Sequence, residues 1–404
     1  MISAPEMDLL SGRVAPETGE LLELSIVMPC LNEADTIENC VRVALKALCD
    51  NKIKGEVVVA DNGSTDGSRE LAARLGARVV PVERKGYGSA LQGGIAACRG
   101  EYVMMGDADE SYDFAEAPKF LEKLRAGAGL VQGCRLPSGG GRVSPGAMPF
   151  THRWLGNPGL TFLARLLYKV PIHDIYCGMR AFRKDLYNRL NMQCTGMEFA
   201  TEMIIKASLR KERITEVPIT LHPDGRKAHA PHLRTVRDGW RTLRFFLIYS
   251  PRWLFLLPGF FFLLAGGAGY LLGALNGQLN GVTFSAHSML VFGVLILMGF
   301  NILTLGLVAK TFAINSRFLP PDPKLESFFK LATLERGLVL GSLQGISGLA
   351  CIAKVFNQWA AHGFQALDYN ETMPWVVTGA LLLVLGTQMI FASFVVSLLG
   401  IRQR

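Results

Sequence analysis

Four carboxylates, Asp107, Asp109, Glu110 and Asp113, fall within seven residues of the run MGDADESYDF, directly behind the apolar stretch EYVMM. Two aspartates one residue apart at a strand end can reach one hard divalent cation, while the diphosphate oxygens of a ligand complete its octahedral shell. Such a cation neutralises charge growing on a departing diphosphate. A calcium loop starting at Asp107 is excluded, because it needs glycine at its sixth position and glutamate at its twelfth, where Tyr112 and Pro118 stand. A solvated acidic turn accounts for Glu110 and Asp113. It accounts poorly for Asp107, into which the apolar strand runs.

Other polar groups follow apolar runs in the same way. The first run ends in Pro29, Cys30, Leu31, Asn32 and Glu33, and the second in Asp61, Asn62, Gly63 and Ser64, followed by Thr65 to Ser68. Taken alone, DNGSTDGS is equally a turn in which Asp66 caps a helix. In RKGYGSALQGGIAACRG, Lys85 and Gly86 open a glycine-rich helix start, where backbone amides and a lysine suit a diphosphate. The spacing is neither that of a P-loop nor G-x-G-x-x-G, since position 91 is leucine. Arg135, Arg142, Arg180 and Arg183 are candidate phosphate ligands, with a solvated surface role equally open for Arg142 and Arg183. Glu198 and Glu202, one helical turn apart, suit sugar hydroxyls or, as readily, a helix N-terminal dipole.

These residues need a frame. Between residues 24 and 135, short apolar runs (LSIVMP, GEVVVAD, RVVPV, EYVMMGD, GLVQG) alternate with helical patterns at Thr36–Leu48, Asp66–Leu75, Ser89–Cys98 and Glu116–Arg125. Strands apolar throughout call for an α/β fold with a parallel sheet covered by helices on both faces. Ligands then collect beyond the carboxyl ends of the strands, at the switch point of strand order.

A second regime follows. The chain of 404 residues is 50% hydrophobic and 19% charged, too apolar for a purely soluble protein, and no Asp, Glu, Lys or Arg occurs from Trp253 to Ala309. Candidate spans are Trp253–Leu275, Ala286–Ala309, Gly337–Phe356 and Trp375–Leu399. The third is short and glycine-rich, Lys354 would have to snorkel, and a re-entrant or interfacial helix is the alternative. Lys310, Arg317, Lys324, Lys330, Arg336, Arg402 and Arg404 place the middle loop, both termini and the α/β domain in the cytoplasm. The polar, acidic start is not expected to be a signal peptide. Arg234, Arg237, Arg241 and Arg244, beside Trp240, Phe245 and Phe246, make a basic stripe expected to lie on the anionic leaflet of the lipid bilayer. Positive-inside loops account for much of the net charge of +8, so no nucleic-acid partner is expected. Eight cysteines without paired spacing are expected as free thiols.

PCLNE, DNGSTDGS, K-G-x-G-x-A-x-x-x-G and DAD, in that order over residues 25 to 110, resemble a family 2 glycosyltransferase of the GT-A fold. With DIYCGMRAFRKD (174 to 185), MEFATEM (197 to 203) and the apolar C-terminal segments, the chain is similar to polyprenyl-phosphate glycosyltransferases, the dolichol-phosphate mannose and glucose synthase group. The resemblance implies a Rossmann-like GT-A nucleotide-sugar domain (24–230), and charge and hydropathy add a polar tail (1–23), an interfacial amphipathic helix (231–252) and an α-helical transmembrane domain (253–404). It implies inverting, single-displacement transfer of a hexose from a UDP-glucose or GDP-mannose type donor to an undecaprenyl or dolichyl type polyprenyl phosphate. The setting would be the plasma membrane of a bacterium or archaeon, with a homo-oligomer left open.

By position, Pro29, Leu31, Asn32, Glu33, Asp61, Asn62, Gly63, Ser64, Lys85, Gly86 and Asp107 to Asp109, Ala108 included, would meet the nucleotide-sugar. Asp107 and Asp109 would hold Mg2+ or Mn2+, Lys85 would assist diphosphate departure, and Arg135 and Arg180 would hold the acceptor phosphate. Many relatives read D-A-D-L-Q, whereas Ser111 stands at the glutamine position and leaves the third metal contact to water or Glu110. Two competing readings are a processive polysaccharide synthase, whose Q-x-x-R-W motif is absent, and a non-catalytic nucleotide-sugar-binding scaffold or flippase.

Overall fold

A computed structural model describes residues 22–226, 235–279, 281–316 and 318–400. The expected N-terminal tail up to residue 21, Arg234, the side chain of Arg237, and Arg317, Arg402 and Arg404 lie outside the described residues. The chain divides into two compact units, Met1–Phe246 and Leu247–Arg404.

The first unit is built on strands β1 (Leu24–Cys30), β2 (Gly55–Asp61), β3 (Arg78–Pro81), β4 (Tyr102–Met105), β5 (Leu130–Cys134), β6 (Arg142–Val143), β7 (Arg180–Arg183), β8 (Ile214–Pro218) and β9 (Thr220–Leu221). Seven of them form one sheet in the order β3-β2-β1-β4-β7-β5-β8. LSIVMPC and GEVVVAD are buried along almost their whole length, as strands covered on both faces must be. Helices Ile37–Asp50 and Ala117–Arg125 turn buried aliphatic and aromatic residues onto one core, with Phe114 and Phe120 filling its centre.

One strand from beyond residues 24–135 enters the sheet against the parallel direction. β7 runs antiparallel to both β4 and β5, with Arg180 opposite Met105 on one side and Gln132 on the other. The connection from β4 through Ala117–Arg125 skips one position in the sheet, and β7 fills that slot. Strand order reverses between β1 and β4, the two neighbours that β2 and β3 lie beyond on one side only. The Pro29–Glu33 and Asp107–Asp109 segments leave the sheet at this switch point.

The second unit holds four helices long and apolar enough to cross a membrane: Arg252–Ala274, Ala286–Asn315, Leu334–Ala361 and Tyr369–Gly400. The third is one continuous helix of 28 residues, which is full spanning length rather than a re-entrant turn. Instead of only reaching outward, Lys354 sets its ammonium 3.4 Å from the centre of the Trp375 ring. Small residues bring the third and fourth helices together: a Cβ on Gly341 would stand 2.7 Å from the Gly386 carbonyl oxygen.

Candidate active site

The loops after β1, β2 and β4 are tied to one another before any ligand is considered. Asp61 is buried and accepts from the amides of Gly63 (3.0 Å) and Ser64 (3.1 Å), so its carboxylate shapes the DNGS turn from within. Asn62 donates to the carbonyls of Val82 and Arg84 and accepts from the amide of Gly86 at 2.8 Å. Ser64 Oγ receives the amide of Asn32, and Asn32 Oδ1 receives the amide of Thr65, both at 2.9 Å. Asn32 holds the left-handed conformation this needs, with φ 59°. Burial pushes the Asp66 carboxyl up, but amide and hydroxyl donors from Ala34 and Ser68 outweigh it and hold the group below its ordinary value. Asp66 thus ties the first loop to the second, while Gly67 occupies the cap position of the helix Ser68–Arg74.

Of the expected nucleotide-sugar contacts, Leu31, Asn32, Gly63 and Lys85 are exposed, Pro29 and Gly86 partly so, whereas Glu33, Asp61, Asn62 and Ser64 form the buried wall behind them. Lys85 donates to the Asn62 carbonyl at 2.5 Å and lies over Gly63, where a Cβ would run into its Nζ. The helix start behind it is not an open anion cradle. The amide of Gly86 is spent on Asn62, and that of Ser89 donates to the Thr195 carbonyl at 3.1 Å.

Asp107 and Asp109 come together beyond β4. Asp107 Oδ1 accepts from the Tyr87 hydroxyl at 2.9 Å, and Asp109 Oδ1 accepts from the Ser111 amide at 3.1 Å and from the Ser111 hydroxyl. Ala108 is buried between them, its carbonyl receiving the Thr36 hydroxyl at 2.6 Å. Burial and the neighbouring Asp109 push the Asp107 carboxyl up to about 6, against the pull of Tyr87, Arg226 and Arg135. Two carboxylates with too little positive charge between them are a fit for one divalent cation. Among the described residues no group of three or more His, Cys, Asp or Glu could hold a metal, so protein ligation rests on this pair and leaves the remaining positions to water and ligand oxygens.

The residues offered for a third contact are both engaged. Ser111 turns its hydroxyl onto Asp109, and Glu110, held at φ 65°, accepts from Asn39 Nδ2 at 2.9 Å.

Two expected phosphate ligands are internal. Arg135 forms a bidentate pair with Asp174 (Nε to Oδ2 2.7 Å, Nη2 to Oδ1 2.9 Å), and both side chains are buried. Arg180 is fully buried; its Nη2 donates to the Cys177 carbonyl at 2.6 Å, its Nη1 to that of Ala200, and its Nε has no partner among the described residues. Neither presents a fork to an incoming phosphate, which corrects their assignment as direct contacts. The sugar-orienting expectation for Glu202 also gives way: fully buried, it pairs with Lys206 at 2.7 Å and accepts from the amides of Gln193 and Cys194. Glu198 is partly exposed at the start of the helix Glu198–Leu209.

Several contributors carry no legible signal in the sequence. Tyr87 and Asp174 lie inside quoted motifs without betraying their partners. Arg226 joins Glu33 (Nε to Oε2 2.9 Å) and Asp109 (Nη2 to Oδ2 2.7 Å) across 193 and 117 residues. An apolar face is also presented by the turns and helix from Phe150 to Leu166: Phe150, Trp154, Leu155, Phe162 and Leu166 are exposed, Phe150 to 77% and Leu155 to 76%. That helix ends at Tyr168, whose hydroxyl donates to the Phe246 carbonyl of the helix Thr235–Ile248, on which Trp240, Arg241 and Arg244 are exposed.

A model described as glycosyl transferase family 2 matches residues 25–190, and one described as the glycosyltransferase family 2 C-terminal transmembrane region matches residues 307–400. The low-salt glycan biosynthesis hexosyltransferase Agl6 of Haloferax volcanii is 38% identical over 378 residues, 93% of this chain and 89% of that protein. The chain belongs to glycosyltransferase family 2. This family 2 glycosyltransferase is therefore a GT-A domain followed by a helical membrane region, and a membrane protein. The dolichyl-phosphate hexose transferase of Haloferax volcanii is 33% identical over 198 residues, 49% of this family 2 chain and 82% of that relative. Among solved structures, glucosyl-3-phosphoglycerate synthase from Mycobacterium tuberculosis, in complex with Mn2+, UDP and phosphoglyceric acid, is 24% identical with a TM-score of 0.42, covering 56% of this chain and 76% of that one.

Proposed function

We propose that this glycosyltransferase moves a hexose from a UDP-glucose or GDP-mannose type donor to a polyprenyl phosphate at the cytoplasmic membrane face. The observation that carries the proposal is the pairing of Asp107 with Asp109 at the sheet's switch point, in a chain that also bears four helices of spanning length. The dolichyl-phosphate hexose transferase among its relatives supports the lipid phosphate as acceptor.

Leu31, Asn32 and Gly63 line the nucleoside side, on loops that Asp61, Asn62 and Ser64 hold from behind. Asp107 and Asp109 would hold Mg2+ or Mn2+, which would supply charge neutralisation of the departing diphosphate. Lys85, held over Gly63 on the second loop, assists diphosphate departure. A phosphate monoester has a second pKa of about 6 and is largely dianionic at neutral pH, so its oxygen attacks the anomeric carbon without a strong general base. One displacement without a protein nucleophile inverts the anomeric centre. Arg135 and Arg180 act from inside the wall, contributing positive potential near Asp107 rather than contact.

The apolar face from Phe150 to Leu166 gives the catalytic unit a surface for the bilayer, and the exposed Trp240, Arg241 and Arg244 add the aromatic and basic groups an anionic interface favours. Phe162→Asp combined with Leu155→Asp is expected to raise the KM for a long-chain polyprenyl phosphate about tenfold or more, each buried CH2 being worth ~0.8 kcal/mol, with the KM for the donor unchanged. Steady-state assays with long-chain and short water-soluble acceptors check it, and an equal effect on both acceptors would remove the bilayer role.

Metal binding should track the protonation of Asp107. Because its carboxyl titrates at about 6, Mn2+ affinity is expected to be level above that pH and to weaken up to about tenfold per unit below it. Calorimetric titrations across the range measure this, and a flat profile down to about pH 4.5 contradicts metal ligation by Asp107. The activity itself is tested by incubating membranes with radiolabelled UDP- and GDP-sugars and counting organic-phase product. No transfer from any donor overturns the proposal.

A further inference from the structure

Arg226 stands where the site's negative charge converges. Its Nε donates to Glu33 and its Nη2 to Asp109, and both carboxylates are buried, 7% and 8% exposed. The guanidinium does not form a closed fork with one partner; it bridges two loops with single bonds, and Asp224 lies 3.4 Å from its Nη1. Buried carboxylates demand such compensation.

The oxygen it holds is the informative detail. Asp109 Oδ1 already accepts both the amide and the hydroxyl of Ser111, so Oδ2 is the oxygen left for a cation, and Oδ2 is the atom Arg226 occupies at 2.7 Å. A divalent cation bound to that oxygen at about 2.1 Å would stand at most about 4.8 Å from Nη2, far inside the roughly 8 Å over which salt screens charges. Two cations at that distance on one carboxylate repel. The backbone before Arg226 lies on the same loop: the amide of Gly225 donates to the Asp109 carbonyl at 2.9 Å, and that of His222 to the Ser111 carbonyl at 3.0 Å.

We propose that Arg226 is a tethered counter-cation of the donor site, which holds Glu33 and Asp109 in the metal-free enzyme and yields Asp109 when a divalent cation binds, loosening Leu221–Arg226 from the Asp109 loop. This rests on the metal reading given under the proposed function. Arg226 is a positioning residue in this scheme: it holds two buried carboxylates in place, and it makes bare metal ion bind less tightly than the carboxylates alone would allow.

The test uses the full-length protein in lipid nanodiscs without nucleotide, with Mn2+ as the probe. Free Mn2+ measured by electron paramagnetic resonance should show Arg226→Gln binding the ion about tenfold more tightly than wild type, and Arg226→Lys, which keeps the charge, within about threefold of it. Hydrogen exchange at the amides of His222 and Gly225 should quicken when Mn2+ is added to wild type and be fast already in metal-free Arg226→Gln. Equal or weaker Mn2+ binding by Arg226→Gln overturns the inference. So does wild-type exchange at those two amides that Mn2+ leaves unchanged, a result that needs no variant and leaves the metal reading standing. Wild-type protein that transfers hexose yet binds no Mn2+ overturns both.

Discussion

Asp107→Asn is expected to lower hexose transfer roughly 10²–10³-fold, the range seen when a preorganised group that stabilises developing charge is removed. The fold should survive. Asparagine has the same shape, and the Tyr87 hydroxyl keeps an oxygen to donate to at Oδ1. Stability should even rise at neutral pH, and the sign follows from linkage. Burial and Asp109 lift the folded-state value to about 6, above the roughly 3.9 of an unfolded aspartate. The carboxyl therefore favours folding fully below about pH 4, and that contribution disappears as pH rises through about 6; the neutral amide does not lose it. Organic-phase product counts and thermal melts of the same preparation check both halves. Full transfer by Asp107→Asn would mean that the acidic pair is not the catalytic centre.

The second large effect is on folding. Arg135→Met leaves the Asp174 carboxylate inside the protein without the two guanidinium bonds that neutralise it, and breaking a buried pair in this way costs about 3–5 kcal/mol. For a domain of this size that lowers the thermal midpoint by roughly 6–20 °C. The double change Arg135→Met with Asp174→Leu should recover most of the loss, since well-packed apolar residues replace such a pair at little cost. An arginine serving as a direct ligand of the acceptor behaves differently: the single variant would raise the KM for polyprenyl phosphate and leave the melt unmoved.

Hydropathy and local pattern made much of the architecture legible. Strands buried on both faces announce themselves as unbroken apolar runs, and the polar residues that end them mark the side on which a ligand collects, as at Asp61 and Asp107. The four helices long and apolar enough to cross a membrane follow from length and the absence of charge. Partnership between distant residues is another matter. An arginine beside a glycine turn looks the same in sequence whether it faces solvent, a phosphate or a buried aspartate, so only β7 and Asp174, which surround Arg135 and Arg180 in space, distinguish them from exposed ligands. Glu202 has the same history, its helical spacing from Glu198 saying nothing of Lys206 and the Gln193 amide. Arg226 has no local pattern at all, and only the return of the chain after β9 brings it to Asp109.

The antiparallel strand carries a consequence for how this enzyme is made. A nascent chain that has emerged as far as Cys134 contains β1 to β5 but cannot close its sheet, because β4 and β5 are not hydrogen-bonded to each other and the piece between them is Arg180–Arg183. Until that strand arrives, the edges of β4 and β5 that face it stay unpaired. Such long-range closure is slow compared with helix formation, and open strand edges invite wrong pairings. The loop bearing Asp107 and Asp109 is thus expected to be completed late on the ribosome, not when its own residues are synthesised, and chaperone demand should peak over residues 135–179 between β5 and β7.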